Sequence, residues 1–101
     1  MAEKILPVIY SDRAISNSLI IKKFLLSKFT PKEVNAFYEM LNKFEQIVSV
    51  FPEIYPKSAI KSKARRAVLS KQLSVFYILY KEQISVVGIV DNRMGYDKWP
   101  S

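Results

Sequence analysis

Residues 64–91 read ARRAVLSKQLSVFYILYKEQISVVGIVD. Three runs rich in β-branched and aromatic residues stand out: ARRAVLS (64–70), LSVFYILY (73–80) and ISVVGIVD (84–91). Such runs read as strands. The connections between them, Lys71-Gln72 and Lys81-Glu82-Gln83, are of hairpin length and force antiparallel pairing. Gly88 interrupts the last run, which calls for a bulge or a close backbone approach. The stretch therefore predicts an antiparallel meander.

Upstream lies a second kind of pattern. TPKE (30–33) has the form of a capping box, with Thr30 placed to bond the backbone N–H of Glu33 and Glu33 to reach back. Pro31 sits at the first helical position, where its missing N–H costs nothing. Val34, Phe37, Leu41, Phe44, Val48 and Phe51 follow at steps of three and four, one buried helix face. Phe51-Pro52 stops the helix. An earlier helix is expected from about residue 12 to Phe29, with Ser11 and Asp12 offering N-caps. Its apolar residues (Ile15, Leu19, Ile20, Ile21, Phe24, Leu25, Leu26, Phe29) cover a wide face, and Asn17, Lys22, Lys23 and Lys28 form its polar side. The connection at 28–31 implies an antiparallel helical hairpin. ILPVIYS (5–11) reads as a first strand, and Pro7 puts it at a strand start or a sheet edge. Residues 52–63, with Pro52, Pro56 and Ser58, form a connector. The expectation is an α+β fold of order β-α-α-β-β-β, the helical hairpin packed on one face of a small antiparallel sheet.

The chain has 101 residues, half of them hydrophobic and a quarter charged, which suits one domain spanning 1–101 with a real core. It has no Cys and no His. Disulfides, thiol nucleophiles and soft metal sites are thereby excluded, and so is imidazole acid–base catalysis. No spaced carboxylates suggest a hard-cation site, so neither metal nor cofactor is expected. The apolar stretch in MAEKILPVIYSD is too short for a signal sequence and contains Pro7. No run approaches the roughly 20 apolar residues of a spanning helix. The reading is a cytoplasmic protein with no membrane partner.

The net charge is +7, and all of that excess lies in residues 54–81, which hold seven basic residues and no acid: Lys57, Lys61, Lys63, Arg65, Arg66, Lys71 and Lys81. Lys57, Lys61, Lys63, Arg65, Arg66, Lys71 and Arg93 are the candidate binding residues, with Trp99 in the tail. Lys and Arg neutralise phosphates and also speed encounter with an acidic protein, so charge alone leaves polyanion and acidic partner both open. Neighbours on a strand point to opposite faces. One of Arg65 and Arg66 should therefore face outward and the other lie near the sheet rim. Arg93 should lie near the Lys71-Gln72 hairpin, away from residues 57–63, so a basic strip across a sheet face is expected rather than one pocket. Phe76, Tyr77 and Tyr80 offer stacking surfaces for bases, although alternating aromatics in a strand are ordinarily half-buried core.

The element order, the pattern FPEIYPKS (51–58), the block RRAVLSKQLSVFYILYKEQISVVGIVDNR (65–93) and the Arg93 that closes it resemble the RelE/ParE superfamily, toxins of bacterial type II toxin–antitoxin systems. The resemblance implies a growth-inhibiting toxin, of the kind linked to plasmid stabilization, silenced by a cognate antitoxin. It also implies two branches. RelE-like members cut messenger RNA on the ribosome with basic side chains on the sheet, an Arg after the last strand and often a tail Tyr or His. ParE-like members poison DNA gyrase without that set. Arg93 matches the Arg after the last strand, Arg65 and Arg66 fall near the basic positions, and Tyr96 lies near the expected tail aromatic. These four are the catalytic candidates if the chain is a ribonuclease. Ser74, however, stands where that branch has Arg, and Trp99, which cannot transfer a proton, stands where a Tyr is expected. The incomplete set favours the ParE-like branch, with gyrase binding and no reaction catalysed. The alternatives are a RelE-like messenger RNA endoribonuclease and a non-toxic member that only binds a partner or nucleic acid.

Overall fold

The computed structural model describes residues 4–59 and 63–95. The chain runs through β1 (Val8–Tyr10), α1 (Asp12–Lys28), α2 (Pro31–Val50), β2 (Arg65–Val68), β3 (Leu73–Leu79) and β4 (Ile84–Asp91), and ends in a single 3-10 turn, Asn92–Met94. The strands form one sheet in the order β1-β4-β3-β2. The two hairpins pair antiparallel as their short connections require. β1 adds to the far side of β4 and runs parallel to it, Val8 opposite Ile84 and Tyr10 opposite Val86. The sheet is thus mixed, not wholly antiparallel. The helical hairpin between β1 and β2 is long enough for the crossover that a parallel partner needs. Pro7 sits just before β1, where its carbonyl accepts from the Ile84 N–H at 2.9 Å and its missing donor is not called on.

The helices cover one face of the sheet. Val34, Phe37, Leu41, Phe44 and Val48 of α2 are buried as their spacing predicts. Phe51 is not part of that stripe: it lies beyond the helix end and is 58% exposed. On α1 the buried face is Ala14, Asn17, Ile21 and Leu25, narrower than the apolar pattern implies, and Ile15, Leu19, Leu26 and Phe29 are exposed. Asn17 is a correction: it belongs to the buried face, not the polar one. β1 stops at Tyr10, so the edge of β4 past Val86 has no strand beside it. The Ile89 N–H on that edge donates instead to Asn17 Oδ1 at 3.1 Å, a buried hydrogen bond. A buried amide without an acceptor is costly, and Asn17 supplies one.

The capping box is a second correction. Ser11 does cap α1, accepting the Ala14 N–H at 3.1 Å. Thr30 makes no side-chain cap; the Glu33 N–H goes to its backbone carbonyl at 3.0 Å. Gly88 sits at a bulge: Phe76 faces Gly88 while the adjacent Tyr77 faces Val86, so Val87 is the extra residue.

Candidate functional site

Cross-strand partners share a face, which settles where the two neighbouring arginines point. Ala67 and Val75 pair and are fully buried beneath the helices. Arg66, Ser74 and Phe76 therefore lie on the face away from the helices. The Arg66 guanidinium lies 5.8 Å from the Phe76 ring centre and donates to Ser74 Oγ at 3.3 and 3.4 Å. Ser74 thus receives the Arg66 side chain on that outer face.

Arg65 points to the helix side and to the rim. Its Nη1 donates to the carbonyl of Tyr55 at 2.8 Å, fastening the connector to β2. The connector runs along the outer edge of β2. Lys57 bridges to Arg65, the Ser58 N–H donates to Ala64 O, and the Arg66 N–H donates to Pro56 O. That covering blunts an edge otherwise open to strange strands. Lys57 and Lys63 are exposed beside it, and Lys71 is exposed in the hairpin at the other end of β2. The basic residues thus gather along the β2 rim more than across a sheet face. Lys61, Tyr96 and Trp99 lie outside the described residues.

Arg93 is in a different setting. The Asn92 N–H donates to Gln72 O at 2.7 Å, so Arg93 does adjoin the β2–β3 hairpin. Its side chain is held by acids. Nη2 and Nε donate to the two oxygens of Asp91 at 2.6 and 3.0 Å, and the Arg93 N–H also donates to Asp91 Oδ1 at 2.9 Å. Glu33, at the start of α2, lies 3.6 Å from Nη1, and the Phe29 ring lies 5.3 Å from the guanidinium carbon. Asp91 is fully buried and pairs with Leu73 of the core, so this clasp is on the helix face. The Asp91 hydrogen bond is the main cause that raises the Arg93 pKa above its ordinary value, against the opposing effect of desolvation. Arg66 and Arg93 therefore lie on opposite faces of the sheet, one beside Ser74 and Phe76 and the other beside Asp91, Glu33 and Phe29.

Of the proposed stacking aromatics, Tyr77 is fully buried. Its hydroxyl donates to Pro52 O at 2.7 Å, and its ring packs edge-on against Phe44 and Tyr55. Burial pushes its phenol up to about 12. Phe76 is buried too, and Tyr80 is half exposed. Sequence reasoning missed Glu33 and Asp91 as the partners of Arg93. The spacing Asp91-x-Arg93 was a local signal, since an Asp side chain commonly binds the backbone two residues on; Glu33 offered none.

No protein-family model matches the chain, and no curated protein matches its sequence. Its fold does match solved structures. Over 88% of its length it superposes on 98% of a chain from the chromosomal ParDE TA system of P. aeruginosa, with a TM-score of 0.72 at 10% identity. The E. coli DinJ-YafQ toxin-antitoxin complex matches over 90% of this chain and 97% of that one, with a TM-score of 0.57 at 10% identity. The YoeB dimer from Staphylococcus aureus matches over 84% and 94%, with a TM-score of 0.52 at 12% identity. The chain has the fold of the RelE/ParE toxins of toxin–antitoxin systems. Among the described residues no helix is long and apolar enough to cross a membrane.

Proposed function

We propose that this chain is the toxin of a type II toxin–antitoxin module, a single cytoplasmic domain that arrests growth by binding a protein target, DNA gyrase, and that a cognate antitoxin neutralises. The observation that carries the choice of branch is the state of Arg93. A guanidinium already matched by Asp91 and Glu33 has its positive charge offset and is poorly suited to stabilise a developing phosphate charge. Ser74 in place of an Arg supports the same reading, because it leaves that position beside Arg66 without a second guanidinium. An acidic segment of the antitoxin would suit the β2 rim, where Lys57, Lys63, Arg65 and Arg66 gather.

The test is inducible expression in a bacterium, followed by a supercoiling assay with purified gyrase at stoichiometric protein. Growth arrest relieved by the neighbouring reading frame, with supercoiling inhibited and transcripts intact, is the expected result. Transcripts cut within codons and unaffected supercoiling would transfer the chain to the ribosome-dependent ribonuclease reading. Soluble, folded protein without arrest would leave a member that only binds a partner.

A further inference from the structure

The molecule carries its positive charge on the β2 rim, yet the groove between its two helices is built with the opposite sign. Tyr38, Leu41, Asn42 and Glu45 lie along one face of α2, at the spacing that aligns residues three and four apart. Ile15 and Ser18 of α1 and Tyr10 at the end of β1 complete the lining of a cavity of about 630 Å³. No Lys or Arg is among these lining residues. The one formal charge is Glu45. Its Oε2 accepts a hydrogen bond from the Tyr10 hydroxyl at 2.6 Å, which fixes the carboxylate within the groove. Glu45 has no ion pair among the described residues. Ile15 and Tyr38 remain 47% and 41% exposed, so the walls offer apolar and aromatic surface with nothing of the described chain over it.

We infer that this groove is a binding site for an alkylguanidinium or alkylammonium group, presented as an Arg or Lys side chain by a helix of the protein partner. A carboxylate in a largely apolar cleft attracts a cation, and Tyr38 and Tyr10 bring aromatic rings into the same lining. The apolar walls take the methylene stem, as such stems commonly lie along apolar surface. From Tyr38 to Glu45 the groove follows about 10 Å of helix axis, enough for two turns of an incoming amphipathic helix that supplies apolar anchors at three- and four-residue spacing. The same surface rejects an acidic side chain at that point, so the partner must be sorted by charge in two places: acidic toward the β2 rim, basic toward the groove. The site rests on the partner-binding reading only for who presents the cation.

Two measurements separate the site from that reading. In the first, n-butylguanidinium and its neutral counterpart n-butylurea are titrated into the isotopically labelled protein and followed by amide chemical shifts. Saturable shifts at Ile15, Ser18, Asn42 and Glu45 are expected with the guanidinium, at least fivefold tighter than with the urea. Glu45→Gln, whose amide oxygen still accepts from Tyr10, should abolish that preference. Asn42→Asp, at an exposed helix position, should tighten the guanidinium about threefold. Equal response to both probes, or a preference that survives Glu45→Gln, overturns the site. In the second, the product of the neighbouring reading frame is bound to wild type and to Glu45→Gln by calorimetry. A loss of tenfold or more is expected. Unchanged affinity would overturn the presentation of a basic side chain there while leaving the partner intact. A neighbour that does not bind at all, with the guanidinium preference present, would sustain the site and sink the partner reading.

Discussion

Arg66 and Arg93 lie on opposite faces of one sheet, and the surroundings of each decide what its charge can do. Arg93 is enclosed on the helix face by Asp91, Glu33 and the Phe29 ring. Arg66 lies on the other face over Phe76, hydrogen-bonded to the neutral Ser74. A count of basic residues treats the two alike. Their partners do not: one guanidinium holds the end of β4 to the helical hairpin, and the other lies beside neutral partners on the outer face.

The sharpest way to break this contrast is to remove each arginine. Arg93→Ala leaves the fully buried Asp91 carboxylate without its partner and should cost about 3–5 kcal/mol of stability. Arg66→Ala removes a half-buried cation that lies over a ring with no acid beside it and should cost about 1 kcal/mol or less. Urea denaturation of both variants checks this, and similar midpoints would end the distinction. A growth assay of Arg93→Ala should be read beside its stability, since loss of arrest through unfolding would mimic loss of a catalytic group.

The helix face holds a second buried polar contact, and it sharpens the comparison. Asn17→Leu takes the acceptor from the buried Ile89 N–H and should cost about 1–3 kcal/mol. Thermal unfolding measures that loss, and faster hydrogen exchange at the Ile89 amide would assign it to this bond.

Alkaline pH separates charged from neutral contacts on this side of the molecule. The Tyr10 phenol is raised well above its ordinary value, by burial first and by the hydrogen bond to Glu45 second. The folded state therefore keeps a proton that the unfolded chain loses near pH 10. Its contribution is complete below pH 10 and falls as pH rises beyond it, with Tyr77, pushed up to about 12, adding in the same direction. Arg93 keeps its charge throughout. Unfolding midpoints between pH 9 and 11 should fall, and Tyr10→Phe should make the fall shallower. An unchanged slope in that variant would show that Tyr10 takes no part.

The smallest test concerns the helix starts. Ser11→Ala should cost about 1 kcal/mol, because its hydroxyl caps α1. Thr30→Ala should stay within about 0.5 kcal/mol, because Glu33 is engaged with Arg93 and the Thr30 hydroxyl caps nothing. Equal costs would restore the capping box.

The order of elements, the β2–β3–β4 meander and the buried stripe of α2 were legible in the sequence. Each rests on neighbours a few residues apart: strand alternation, turn length, and steps of three and four. The basic content of residues 57–71 was legible for the same reason. The parallel seat of β1 on β4, the burial of Asn17 and the faces taken by Arg65 and Arg66 were not, because each depends on which distant segment lies alongside. Most of all, the sequence determined that Arg93 closes the last strand, whereas only the tertiary structure decided that Glu33, sixty residues upstream, would stand beside it. A charge is read from one residue, but its effective strength is set by partners and burial that the chain acquires only when it folds.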